Sequence, residues 1–169
     1  AYDRAHELRE LFRDVSPSTQ ILVLYGFGMG DAIVWAGENL PDLERVIVIE
    51  PSPQLMISAL KYPGVVDKLK KVPIVDFVVN KPVKEAADFM MGRMEQDFHK
   101  KYGFAYHLAH RSLFKGYYEN FSEQVLTYFR RTGVAIRTVE ANIFVKTQNI
   151  LNNLKAKSVN IDELLLHLK

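Results

Sequence analysis

The chain has 169 residues, of which 48% are hydrophobic and 25% charged, with a formal net charge of +2 and no cysteine. This length favours one domain with its own core, and so small a charge argues against nucleic acid or a membrane surface as partner. The lack of cysteine excludes disulfides, thiolate catalysis and cysteine-ligated zinc.

No apolar run approaches the ~20 residues of a bilayer span, and no signal peptide is visible. The expected location is cytoplasmic, with which a cysteine-free composition is compatible. The chain starts at Ala1 without Met and stops within the helical pattern Leu164, Leu165, Leu166, Leu168, so an excised fragment of a longer protein is expected.

Residues 3–14 read as a helix with Leu8, Leu11 and Phe12 on its apolar stripe, ended by Ser16-Pro17-Ser18. A strand follows over Ile21–Tyr25 and runs directly into the turn Gly26-Phe27-Gly28-Met29-Gly30. Asp31 is placed at the start of the next helix, beside its free backbone N–H groups. That helix carries Ile33, Val34 and Leu40 and ends near Asn39-Leu40-Pro41. Trp35 is expected to pack beneath the glycine turn.

A second strand is predicted over 46–50, ending in Glu50, and Pro53 suits the first turn of a helix over 54–61. Tyr62-Pro63-Gly64 breaks that helix, a short one covers Val65–Leu69, and branched residues mark a third strand at Ile74–Val79. Pro82 opens a helix through Lys100, with Ala86, Phe89, Met90 and Phe98 on its apolar side; Met90, Met91 and Met94 are read as core packing. Residues 103–118 fit either a short strand or a ligand loop. From Tyr118 to Lys155 the spacing is helical again, through Phe121, Val125 and Phe129, then Ile136, Val139, Ile143, Ile150 and Leu154, with Gly133 between. Three clear strands alternating with helices predict an α/β, Rossmann-like, mostly parallel sheet flanked by helices. The expected organisation is an α/β domain over 1–117 and a helical C-terminal extension over 118–169.

The candidate cofactor-binding residues are Gly26, Gly28, Gly30, Asp31 and Glu50. Glycines let a ligand approach a backbone at positive φ, a helix N-terminus favours anions, and an acid ending the second strand accepts hydrogen bonds from ribose hydroxyls. Glu50 lies 20 residues after Gly30, which suits that role. The spacing is G-x-G-x-G rather than the dinucleotide form G-x-G-x-x-G. It resembles the first motif of class I S-adenosylmethionine-dependent methyltransferases. However, Leu24 and Tyr25 stand where that family has an acid before the motif, and its later strand hairpin is not readable. The alternative is that the glycines only make a tight turn and that Glu50 caps the helix after Pro51.

Other residues carry weaker chemistry. His107 and His110, three apart, have a spacing that suits metal binding with Glu119 as a third ligand, but structural or surface histidines are the favoured reading and no metal is expected. Arg111, Lys115, Tyr117 and Tyr118 form a candidate phosphate or sugar site facing the glycine turn across the C-terminal edge of the sheet, against a solvated loop whose aromatics pack on that sheet. Ser52 and Ser58 have no His/Asp partners that would make a nucleophile.

Read together, Ile21–Asp31 (ILVLYGFGMGD), Val46–Pro53 (VIVIEPSP) and the Asn-rich stretch Thr147–Leu154 (TQNILNNL) resemble the N-terminal domain of motility-associated factor (Maf) glycosyltransferases. The resemblance implies a bacterial cytoplasmic enzyme that glycosylates flagellin Ser/Thr from nucleotide-activated nonulosonic sugars of the pseudaminic or legionaminic type. The family's catalytic domain carries a second glycine motif with Gly-Pro-Ser, which no residue after Asn153 supplies. The resemblance therefore implies an accessory domain without the transferase centre, with a nucleotide or nucleotide-sugar pocket at the turn as its possible ligand site. An S-adenosylmethionine-binding domain and a structural interaction module remain the alternatives.

Overall fold

The computed structural model describes residues 4–70 and 74–131. Its elements are α1 (Arg4–Leu11), β1 (Ile21–Tyr25), α2 (Asp31–Asn39), β2 (Arg45–Glu50), α3 (Pro53–Leu60), α4 (Val65–Leu69), β3 (Ile74–Val79), α5 (Val83–Gln96), β4 (Tyr102–Tyr106) and α6 (Leu108–Leu113). A further helix, α7, starts at 115. The four strands form one sheet in the order β3-β2-β1-β4, and every pairing is parallel. This is the Rossmann-like α/β arrangement expected from the alternation of strands and helices.

The continuous apolar runs of β1 and β2 follow from their central position. Both strands are covered on two faces, and every residue from Ile21 to Tyr25 and from Val46 to Glu50 is buried. On one face, Leu22, Leu24, Val46 and Val48 join Phe12, Ile33, Ala36, Ala59 and Val65 in one core, so α2, α3 and α4 pack there. On the other face, Tyr25 stacks on Tyr106 at 4.2 Å and meets Tyr118 and Phe121 of α7 edge-on at 5.3 and 5.5 Å. Arg93 of α5 reaches Asp76 of β3 at 3.6 Å. The chain steps β1 to β2 to β3 in one direction with its helices on one face. It then returns past β1 to β4 with α5 on the opposite face, as right-handed crossovers require.

Local chemistry sets the boundaries. Ser52 is the N-cap of α3, its hydroxyl accepting the Leu55 N–H at 3.3 Å, with Pro53 in the first turn. Ser52→Ala is expected to cost about 1 kcal/mol in urea unfolding, the usual worth of such a cap; an unchanged midpoint would contradict the assignment. The predicted helix through Lys100 overruns: α5 ends at Gln96, with Asp97 as its C-cap. Its buried face is Ala86, Met90 and Met94 with Ala87, whereas Phe89 is 37% and Phe98 72% exposed. The i, i+4, i+8 row, not the aromatics, faces the sheet.

Residues 103–118 contain both a strand and helices. In β4, Gly103 and Ala105 are buried while the three aromatics are partly covered. A Cβ on Gly103 would lie 2.8 Å from the Thr19 side chain, so the glycine marks a close approach at the sheet edge.

The chain divides into two compact units, residues 1–125 and 126–169. Tyr118, Phe121 and Val125 are buried within the first. Residues 126–131 of the second are helical. The predicted helical positions from Ile136 to Leu154, and the Asn-rich stretch, lie outside the described residues. Among the described residues no helix is long and apolar enough to cross a membrane.

Candidate functional site

The glycine turn lies at the C-terminal end of β1, where the strand order reverses and open α/β sheets place their ligands. Gly26, Gly28 and Gly30 have φ of 93°, 54° and 75°. β1 is tied to β2 through the Gly26 N–H, which donates to the Ile49 carbonyl at 2.9 Å, and to α6 through the His107 N–H, which donates to the Tyr25 carbonyl at 3.0 Å. Gly30 is the N-cap of α2, and Asp31 at the start of that helix pairs with Lys68 of α4 at 2.8 Å. The side chain beneath the turn is Phe27, 1% exposed and edge-on to Phe77 at 5.8 Å. Trp35, expected in that place, instead stacks on Phe12 at 4.3 Å, one helical turn further along α2.

Glu50 is fully buried. Its Oε2 accepts the Phe27 N–H at 3.0 Å and its Oε1 accepts the Ser52 N–H at 2.9 Å. His110 Nδ1 lies 3.1 Å from Oε2, off the direction of a straight ring hydrogen bond, so the contact is an ion pair when the imidazole is protonated. Burial by itself pushes the Glu50 carboxyl up. The His110 imidazole and the two backbone N–H groups outweigh it and hold the group below the usual carboxylate range. Glu50 thus links the glycine turn, the β2–α3 turn and α6. The capping of α3 belongs to Ser52 rather than to Glu50.

The two histidines cover the turn. A Cβ added to Gly26 would fall 2.5 Å from the His110 ring, and one added to Gly28 would fall 2.6 Å from the His107 ring. The imidazoles are edge-on with centroids 4.9 Å apart, and His107 Nε2 lies 3.9 Å from Glu7 of α1. Burial, then the neighbouring His110, hold the His107 pKa below its ordinary value, while Glu7 and Glu50 oppose this weakly. Glu119, the third member of the imagined metal set, is exposed and pairs with Lys115 at 3.8 Å. Among the described residues no group of three or more His, Asp or Glu is arranged to hold a metal ion.

The acid response follows from these shifts. Below the ordinary His value of about 6.5, the unfolded chain takes a proton that native His107 resists, so stability falls as the pH drops. The stability contributed by Glu50 is full above about 4.3 and is lost as the pH falls through its lowered native value. Thermal melts across the acid range are expected to show a loss in two stages, the upper one weakened by His107→Gln. An upper stage of unchanged size in that variant would contradict the assignment.

Of the other predicted binding residues, Tyr118 donates to the Ile49 carbonyl at 3.2 Å and Tyr117 to the Lys81 carbonyl at 2.9 Å. Burial and then Glu50 push the Tyr117 pKa up to about 12. Arg111 lies over the Tyr106 ring at 5.2 Å, and both Arg111 and Lys115 are exposed. His107 and His110, rather than these four, meet the glycine turn. Their signal in the sequence is the three-residue spacing directly after β4.

A cleft of about 590 Å³ opens beside the turn, between α1, the start of α2 and α4. Glu7, Leu11, Phe27, Asp31, Lys68 and His107 contribute to its wall.

Imidazoles occupy the approach to Gly26 and Gly28, and both Glu50 oxygens accept protein N–H groups. Fold and site together define a Rossmann-like α/β domain whose glycine turn is filled by its own side chains. Compared with protein-family models, curated proteins and solved structures, the chain matches none of the three.

Proposed function

We propose that this domain is a non-catalytic accessory module, and that its parent is a cytoplasmic Maf-type transferase that adds nonulosonic sugars to flagellin. The observation that carries the non-catalytic reading is the filling of the turn. Its glycines accommodate His107 and His110, and Glu50 serves as an internal link instead of a ribose acceptor. The Maf reading rests on the resemblance of ILVLYGFGMGD and VIVIEPSP to that family's N-terminal domain. On this reading the domain positions a transferase domain elsewhere in the parent, and flagellin and a cytidine-activated nonulosonic sugar are partners of the whole protein.

The strand order also suits a methyltransferase-like domain, for which α6 would have to leave the turn. The test uses the full-length parent with unglycosylated flagellin and a cytidine-activated nonulosonic sugar. Mass spectrometry is expected to show sugar added to flagellin by the parent and none by the 169-residue segment. Inactive parent protein, sugar transfer by the segment alone, or methyl transfer from S-adenosylmethionine by the segment would overturn the proposal.

A further inference from the structure

We infer that the cleft beside the glycine turn is a binding site for a small, flat aromatic molecule without charge. This inference is independent of the transferase reading. At about 590 Å³ the cleft is of metabolite size, and most of its lining is apolar, as in small-molecule sites generally. Its floor is closed by core side chains: Leu11 is 8% exposed, and Phe27 and Val65 are 1% exposed. A ligand seated there trades water for apolar contact.

Aromatic and thioether groups set the shape of the ligand. Phe27 lies at the floor, the His107 imidazole stands over Gly28, and the Tyr62 ring is 65% exposed at the mouth. Met29, on the turn itself, is 37% exposed. Rings pair with a further ring by stacking or edge-on contact, beyond what area alone gives, and a flexible thioether adapts to its outline. A rounded aliphatic molecule of the same size gains only the area.

The ionic groups of the wall are engaged within the protein. Lys68 is held by Asp31 at 2.8 Å, and Glu7 and Asp31 both have further partners. A charged ligand would lose its hydration on entering and would have to displace one of these partners to regain a counter-ion. An uncharged ring leaves them in place.

The test is an NMR titration of the isotope-labelled protein at neutral pH, followed at the amides of Met29, Ala32 and Val65. The probes are indole, which is flat and uncharged, cyclooctanol, which is uncharged but not flat, and the charged indoles tryptamine and indole-3-acetate. Indole is expected to shift these amides saturably, cyclooctanol to bind about five-fold more weakly, and neither charged compound to bind tighter than indole. Tyr62→Ala and Met29→Ala, at positions that leave the core intact, are expected to weaken indole about five-fold and about three-fold. Four results would each overturn the inference: no saturable shift of these amides with indole, cyclooctanol binding as tightly as indole, a charged indole binding about ten-fold tighter, or both variants binding indole like the parent. Methyl or sugar transfer by the segment would overturn the proposed function and leave this result standing.

Discussion

Glu50→Ala is expected to lower the unfolding free energy by about 3–5 kcal/mol in urea titrations, the cost of removing a buried carboxylate that accepts two backbone hydrogen bonds. The carboxylate is fully buried and meets three protein groups. Removing it strands the buried Phe27 N–H and the part-buried Ser52 N–H and leaves His110 without its partner. Each orphaned donor alone costs about 1–3 kcal/mol. Glu50→Gln keeps the shape and one accepting oxygen but turns an NH2 group toward a second donor, so it is expected to cost less than alanine and more than a surface change. A loss below about 1 kcal/mol for Glu50→Ala would mean that the carboxylate does not link the two turns to α6.

Gly28→Ala is expected to be destabilising by about 2–3 kcal/mol, and His107→Ala in the same chain is expected to recover part of that. The new Cβ meets the His107 ring at 2.6 Å, and the φ of 54° adds a smaller backbone cost that no partner change removes. The double-mutant cycle therefore isolates the steric part, with an expected coupling of about 1 kcal/mol or more. Gly26→Ala combines a 2.5 Å contact to His110 with a φ of 93°, further from the left-handed minimum, and is expected to be worse. Strict additivity of Gly28→Ala and His107→Ala would show that the imidazole does not fill the space above the turn.

The β1–turn–α2–β2 unit was legible because its signals are local. Two buried apolar runs flank a glycine turn, and a proline opens the helix after the second. The predicted spans of α4 and β3 match the observed ones. β4 was not separable from a loop, because Tyr-Gly-Phe-Ala-Tyr is short and its inward positions are the small Gly103 and Ala105, the reverse of a normal apolar face. In α5 the expected apolar side joined Ala86 and Met90, which are buried, to Phe89, which is exposed, and to Phe98, which lies beyond the end of the helix.

The site was half legible for a similar reason. An acid ending β2 stands out from its position alone. Its partners come from other elements: the pairing of β1 with β2 brings Phe27 to it, and the placement of β4 next to β1 brings His110. That placement puts α6 over the turn, so residues 103–118 do face it as expected, but through His107 and His110 rather than Arg111, Lys115, Tyr117 and Tyr118. The glycines read equally well as room for a ligand or room for a side chain, and three-dimensional placement shows two imidazoles there.

The most direct test of a turn filled by its own histidines is an NMR titration that follows the backbone amides of Gly26, Phe27 and Gly28. Cytidine monophosphate and S-adenosylhomocysteine are added in turn to the labelled protein. These three amide resonances are expected to stay in place with both compounds. Saturable shifts centred on Phe27 and Gly28 with either compound would contradict a filled turn.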